Sequence, residues 1–229
     1  MDEKEKEIEI EGIKYNVELI DDLNDEKKVK TYKVIIIGKT GVGKTSISLK
    51  LKSQILNKKI ETEPTISVDI ISFKVKVNET IIRIQLWDAC GNEEFAKTTS
   101  NLFQNIELSI IVYAIDMRES FEDVKSWNNI LNSYNPNCLK YLIGNKIDLE
   151  KKREVQIEEG EKFKKEYEFN LFLETSAENG SNIKNLLKNI GVSIYNKENL
   201  QEENLESKNT ITLFKDEVKS GKKNKKKCC

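Results

Sequence analysis

Long apolar runs are missing from this 229-residue chain: no uninterrupted hydrophobic stretch approaches the ~20 residues that a membrane-spanning helix requires. The opening residues, Met1-Asp2-Glu3-Lys4-Glu5, lack the basic and apolar regions of a secretory leader, and Asp2 stands where N-myristoylation needs a glycine. Cysteine is scarce too. The four are Cys90, Cys138 and the adjacent Cys228 and Cys229, without regular spacing, which argues against a disulfide framework or a CxxC metal site and for a reducing, intracellular setting. A large net charge is also absent, at −1, but that average conceals opposite ends. Residues 1–30 are rich in acids, whereas Lys219, Lys222, Lys223, Lys225, Lys226 and Lys227 lie in a final stretch with no acid among them. With 38% hydrophobic and 34% charged residues, the chain reads as one ordinary domain carrying polar extensions. The expected division is an acidic extension at 1–30, a domain at 31–195 and a polar tail at 196–229.

What is present centres on Gly38-Lys39-Thr40-Gly41-Val42-Gly43-Lys44-Thr45, which meets G-x-x-x-x-G-K-[ST] at every fixed position. The apolar run Tyr32 to Ile37 precedes it, and Ile47, Leu51 and Ile55 follow at helical spacing, so the order is strand, loop, helix. Backbone amides of such a loop, among them those of Gly41, Val42, Gly43 and Ser46, converge on phosphate oxygens, and the helix N-terminus adds partial positive charge. Lys44 is expected to reach the outer phosphates and Thr45 to offer its hydroxyl to magnesium. Read alone, the stretch also fits a glycine-rich turn that caps a helix.

From Lys33 onward, strands alternate with helices, the pattern of an α/β fold with a mostly parallel sheet covered on both faces. Val68–Val77 and Ile81–Trp87, turning at Asn78-Glu79, are expected to add one antiparallel edge. Further strands are read at Ser109–Ile115, Cys138–Ile143 and Asn170–Leu173, giving six in all. Helices are read from Ser120, taken as an N-cap ahead of Phe121, Val124, Trp127 and Leu131, at Ile157–Tyr167, and through Ile183, Leu186, Leu187, Ile190 and Ile194. In the first thirty residues Ile8, Ile10, Ile13, Tyr15, Val17 and Leu19 alternate with polar residues around Gly12. A small hairpin and a solvated acidic arm fit equally, and a lone hairpin is marginal unless it docks.

Three polar motifs fall after strands, where ligands of such sheets bind: Asp88-Ala89-Cys90-Gly91, Asn145-Lys146-Ile147-Asp148 and Glu174-Thr175-Ser176-Ala177. An aspartate such as Asp148 accepts two hydrogen bonds from the ring N–H and exocyclic amine of guanine, a donor pair adenine lacks, so it sets base choice. With these motifs the chain resembles the small GTPases of the Ras superfamily over about Tyr32 to Tyr195, and hence the P-loop NTPase fold. The resemblance implies that Asn145 ties the base loop to the phosphate loop, Lys146 lies against the purine and Ser176-Ala177 contact the guanine. It implies a magnesium site of Thr45, Thr65 and Asp88, with Thr65 and the Gly91 amide sensing the terminal phosphate. Lys44, Thr65, Gly91 and Asn92 are then the catalytic set for GTP hydrolysis. Release of both loops after hydrolysis makes the switch.

Within that superfamily the chain is most similar to Rab proteins, in Arg83 to Asp88, in Ile66 to Ile70, in Arg118 to Phe121 and in Lys225-Lys226-Lys227-Cys228-Cys229. The ending resembles the Rab double cysteine that carries two geranylgeranyl groups; two chains, or one chain plus a polybasic patch, are what stable anchoring takes. The lysines read by themselves also suit a nucleic-acid-binding tail; with the cysteine pair the expected partners are a membrane and no nucleic acid. The resemblance further implies GTP and GDP as ligands, with exchange factors, activating proteins, escort and dissociation-inhibitor proteins and effectors as partners. The implied location is cytoplasmic, peripheral on the cytoplasmic face of an intracellular membrane, with a role in vesicle trafficking.

Departures from the pattern concern mechanism. Asn92 stands where Rabs have a water-positioning glutamine and is one methylene shorter, so intrinsic hydrolysis is expected to be slow. Ala89, Cys90 and Ser67 replace threonine, alanine and glycine, and Lys58 falls near the place of the aromatic that family members lay across the guanine. Trp87 is kept among residues that effectors read, whereas Ile70 and Leu102 replace aromatics. A GTP-binding module with negligible turnover is the competing reading, and an ATP-using kinase or ATPase is disfavoured by Asp148.

Overall fold

The computed structural model describes residues 7–20, 29–56, 68–89 and 100–200. Its centre is β3 (Thr31–Ile37), whose alternate side chains enter two cores. Val34 and Ile36 pack with Ile47, Leu51, Ile183 and Leu187 on one face; Ile35 and Ile37 pack with Val124, Trp127 and Leu131 on the other. Burial on both faces is why the run is continuously apolar. Around it are α1 (Lys44–Leu56), β4 (Asp69–Val77), β5 (Thr80–Asp88), β6 (Ile106–Ala114) and the short helix α2 (Arg118–Glu122). Then follow α3 (Val124–Tyr134), β7 (Leu139–Asn145), α4 (Ile157–Glu166) and β8 (Leu171–Glu174), with residues 183–200 forming α5.

The parallel part of the sheet is β5, β3, β6, β7 and β8, with β4 antiparallel to β5, as the spacing of apolar runs predicts. The number of strands is a correction. An eight-stranded sheet runs β1-β2-β4-β5-β3-β6-β7-β8, because β1 (Glu7–Ile10) and β2 (Ile13–Ile20) join it beyond β4. Six strands were expected with a single antiparallel edge; the described sheet has antiparallel pairings at β1·β2, β2·β4 and β4·β5.

The N-terminal alternation is therefore a hairpin. Glu11 (φ 53°) and Gly12 (φ 79°) both occupy the left-handed region, the geometry of the two-residue turns that match strand twist. Docking supplies what an isolated ribbon lacks. Val17 pairs with Val77 and Leu19 with Val75, and Tyr15 and Val17 are buried. Tyr15 also meets α5: its ring lies edge-on to Tyr195 at 6.3 Å, and its hydroxyl accepts from Asn196 Nδ2 at 3.0 Å. Lys188 Nζ donates to the Glu7 carbonyl at 3.1 Å.

A second correction concerns Ser120, which lies within α2 rather than capping a helix. Its hydroxyl accepts from Ala114 N at 3.0 Å and donates to the Met117 carbonyl at 2.7 Å, closing the turn from β6 into the helix. A buried hydroxyl with two backbone partners at hand has no reason to face solvent at a cap. Val124, Trp127 and Leu131 form the buried face expected of α3, and Ile183, Leu186, Leu187, Ile190 and Ile194 that of α5.

Val17→Asp places a charge where described neighbours are apolar, and is expected to destabilise the domain by about 3 kcal/mol or more. Ile13→Asp, at a side chain 56% exposed on the same strand, should change stability by under ~0.5 kcal/mol. Urea denaturation of both variants measures the contrast, and equal midpoints would contradict the docked hairpin.

Candidate functional site

The carboxyl ends of β3, β5, β6, β7 and β8 point to one end of the sheet, and four loops gather there. The phosphate-loop sequence leaves β3 at Gly38, whose φ of 139° suits glycine and whose added Cβ would lie 2.2 Å from the Val112 carbonyl oxygen. It ends in α1, which starts at Lys44. Lys44 Nζ donates to the carbonyls of Gly38 and Lys39, both at 2.9 Å, so the side chain curls over its own loop. Amides at the start of a helix and a lysine held over them suit an anion with several oxygens.

Asn145, at the end of β7 and 1% exposed, joins that loop to the rest. Its Nδ2 donates to the Val42 carbonyl at 2.9 Å. Its Oδ1 accepts from Thr175 Oγ1 at 3.2 Å and from the Ala177 amide at 3.3 Å. The packing leaves no room for a side chain at Gly43, where a Cβ would sit 2.4 Å from Asn145 Nδ2. Lys146 then turns the chain through the left-handed region (φ 71°), and its Nζ lies 3.6 Å from Asp116 Oδ1, an ion-pair distance longer than a hydrogen bond. A left-handed non-glycine residue costs about 1–3 kcal/mol, and here the turn sets Asp148 into the site.

Asp148 accepts from Ser176 Oγ at 2.5 Å, which orients the carboxylate. With Asn145, Lys146, Ala177 and Gly43 it lines a cleft of about 430 Å³ that also borders Ser46 of α1. Such a volume lies within the range of small-ligand sites. The Ser176-Ala177 loop is braced from behind: Arg153 grips Glu174 through two bonds of 2.6 and 2.8 Å, with both side chains about 12% exposed or less. Bidentate pairing of this kind fixes direction as well as charge.

Asp88 ends β5 beside β3, paired in register with Ile36, and is 1% exposed. Thr45 opens α1 at the far end of the phosphate loop. A hydroxyl and one carboxylate are hard oxygen donors, and among the described residues no three His, Cys, Asp or Glu side chains cluster to hold a metal. That donor set suits magnesium, which keeps waters and binds phosphate oxygens with one or two carboxylates.

Gly43, Ser46, Asn145, Lys146, Asp148 and Ala177 line one cleft, with Val42 bonded to Asn145 and Ser176 to Asp148. Gly41, Lys44 and Thr45 stand in the adjoining loop and first turn of α1, and Asp88 at the end of β5. Thr65, Gly91, Asn92, Cys228 and Cys229, and with them Lys58, Ser67 and Cys90, lie outside the described residues. Thr175 and Asp116 are site residues that sequence reasoning did not assign. Thr175 stood inside a quoted motif, and Asp116 is a polar residue just past a strand end, so position carried a signal for both. Ile70 is 46% exposed and pairs with Trp87, whereas Leu102 is buried in the core.

A family model described as the Ras family matches residues 33–196, more than half of the chain, and the chain belongs to that family. It is a small GTPase, a guanine-nucleotide-dependent switch of a kind that uses magnesium and acts through regulators and effectors.

Asn145→Ala would strand the Ala177 amide and the Val42 carbonyl, each buried group costing about 1–3 kcal/mol. Guanine-nucleotide release should accelerate by roughly tenfold or more, at 1.4 kcal/mol per decade. Stopped-flow displacement of a fluorescent GDP analogue checks this, and an unchanged rate would show that the bridge does not hold the two loops for the ligand.

Proposed function

We propose that this chain is a Rab-like GTPase switch that serves vesicle and membrane trafficking from the cytoplasmic face of an intracellular membrane. The observation that carries the guanine half is the seating of Asp148 in the cleft, oriented by Ser176, with Asn145 joining base and phosphate loops. In this reading Asp148 takes the guanine donor pair, Lys146 and Ala177 flank the base, and Gly41 to Ser46 hold the phosphates with Lys44 at the outer ones. Thr45, Thr65 and Asp88 hold magnesium, which when bound offsets charge on the phosphates. Thr65 and Gly91 respond to the terminal phosphate, and Asn92 orients the attacking water from one methylene short. Turnover is slow without an activating protein.

The Rab-like half is supported by sequence: the Arg83 to Asp88 run, retained Trp87, and the lysines beside Cys228 and Cys229. The two cysteines carry prenyl groups, the lysines add attraction to an anionic leaflet, and residues 196–229 serve as the tether. Residues 31–195 are the switch domain proper. Exchange factors, activating proteins, escort and dissociation-inhibitor proteins and effectors are its partners, and nucleic acid is not. Exposed Ile70 favours effectors that read an aliphatic side chain where an aromatic one is usual, and Leu102, in the core, is withdrawn from that surface.

Asn92 also supports a second reading, a GTP-binding interaction module with negligible hydrolysis. Single-turnover hydrolysis by Asn92→Gln, with and without an activating protein, separates the two. The switch reading expects a faster rate than the native chain in at least one condition, and no increase in either favours the module. Asp148→Ala should lose most of the preference for GTP over ATP in competition binding; retained preference would remove Asp148 from base recognition. Intact mass spectrometry of the native protein tests the membrane half, since finding neither cysteine lipidated rules out this anchor.

A further inference from the structure

Lys39 occupies a variable position of the phosphate-loop pattern, but its side chain and its carbonyl do different work. The ammonium donates to Glu119 Oε1 and Asp123 Oδ2, each at 2.7 Å. Both carboxylates belong to the α2–α3 segment, which also places Met117 Cε 3.9 Å from where a Cβ on Gly41 would be. The carbonyl of the same residue accepts from Lys44 Nζ at 2.9 Å. Lys39 therefore links the lysine that faces the phosphates to a helix on the flank of the loop.

We infer that Lys39 is a positioning residue: its paired carboxylates hold the loop in the shape that aims Lys44, and so slow nucleotide release. The inference rests on reading residues 38–45 as the phosphate loop. Three glycines of this loop, at 38, 41 and 43, have φ of 139°, 85° and 93°, a backbone with much freedom to lose. Anchoring its second residue from outside reduces that freedom before the ligand arrives. The anchor is electrostatic as well as geometric. Asp123 foremost, then Glu119, raises the Lys39 ammonium above its ordinary range, so it stays charged throughout the working pH range. Without Lys39 the two acids would stand uncompensated beside a loop that binds polyanions.

The test uses the full chain in magnesium-containing buffer, with a fluorescent GDP analogue and a parallel thermal melt. Lys39→Met keeps the stem and removes the charge; release should quicken by roughly 3- to 10-fold at low salt, with the gap narrowing as salt rises. Lys39→Arg should restore slow release. Asp123→Asn in combination with Lys39→Met should add little to either change alone, since one interaction is lost in both. Glu119→Gln and Asp123→Asn leave the loop sequence intact, so they carry the test if Lys39→Met does not fold. Native-like release in Lys39→Met, or fully additive effects, overturns the positioning role. Faster release that tracks only a lowered melting temperature and that arginine fails to rescue also overturns it. If the unmodified chain fails to retain guanine nucleotide, the phosphate-loop reading falls first and the inference falls with it.

Discussion

The Asn145 side chain is the interaction on which the rest of the site depends. One amide group satisfies a carbonyl of the phosphate loop, a threonine hydroxyl and an amide of the β8 loop while almost fully buried. Three loops from three strands are thereby held by a side chain with no rotational freedom to spare. Buried polar networks are high-stakes because each partner left unsatisfied costs more than the net contribution of the bond it loses. The sheet supplies the other half of the constraint: parallel pairing of β3, β6, β7 and β8 delivers the loops to one end, so a single bridging residue can span them.

Around this bridge, rigidity is layered by burial. Arg153 and Glu174 brace the loop after β8 from the protein side, and Ser176 turns Asp148 toward the cleft. Lys44 is buried against the loop's own carbonyls, whereas Lys39 forms its ion pairs nearer solvent, where single pairs are weak and arrangement matters more than strength. The base end is thus held by a buried amide bridge, a bidentate ion pair and a side-chain hydrogen bond, and the phosphate end by lysines that a ligand's charge can reinforce.

Much of this was legible in sequence because the strongest signals are local. Apolar runs bounded by polar motifs located β3, β5, β6 and β7, and alternate residues of β3 enter opposite cores as a two-residue period demands. The site residues from Gly41 to Ser46 and from Asn145 to Asp148 were legible for the same reason, being contiguous motifs at strand ends. What escaped depends on distant partners. The hairpin could not be told from a solvated arm, since its burial comes from β4 and α5 rather than from its own pattern. Ser120 obeyed a capping rule in sequence, yet a β6 amide competed for its hydroxyl. Lys39 carries no signal of its own in sequence because its carboxylate partners lie 80 and 84 positions away.

The hairpin has one more consequence, for the order of events during synthesis. The ribosome delivers β1 and β2 first and α5 last, and the bond from Asn196 to Tyr15 spans 181 positions. Pairing with β4 becomes available once residue 77 has emerged, but the contacts of Tyr15 and Glu7 wait for nearly the whole domain. Until then the apolar side of the hairpin is only half covered, and its nascent edge carries Glu7 and Glu9. Because β1 ends the sheet, that edge stays open in the folded domain as well, and charges on an open edge discourage pairing with neighbouring chains at both stages.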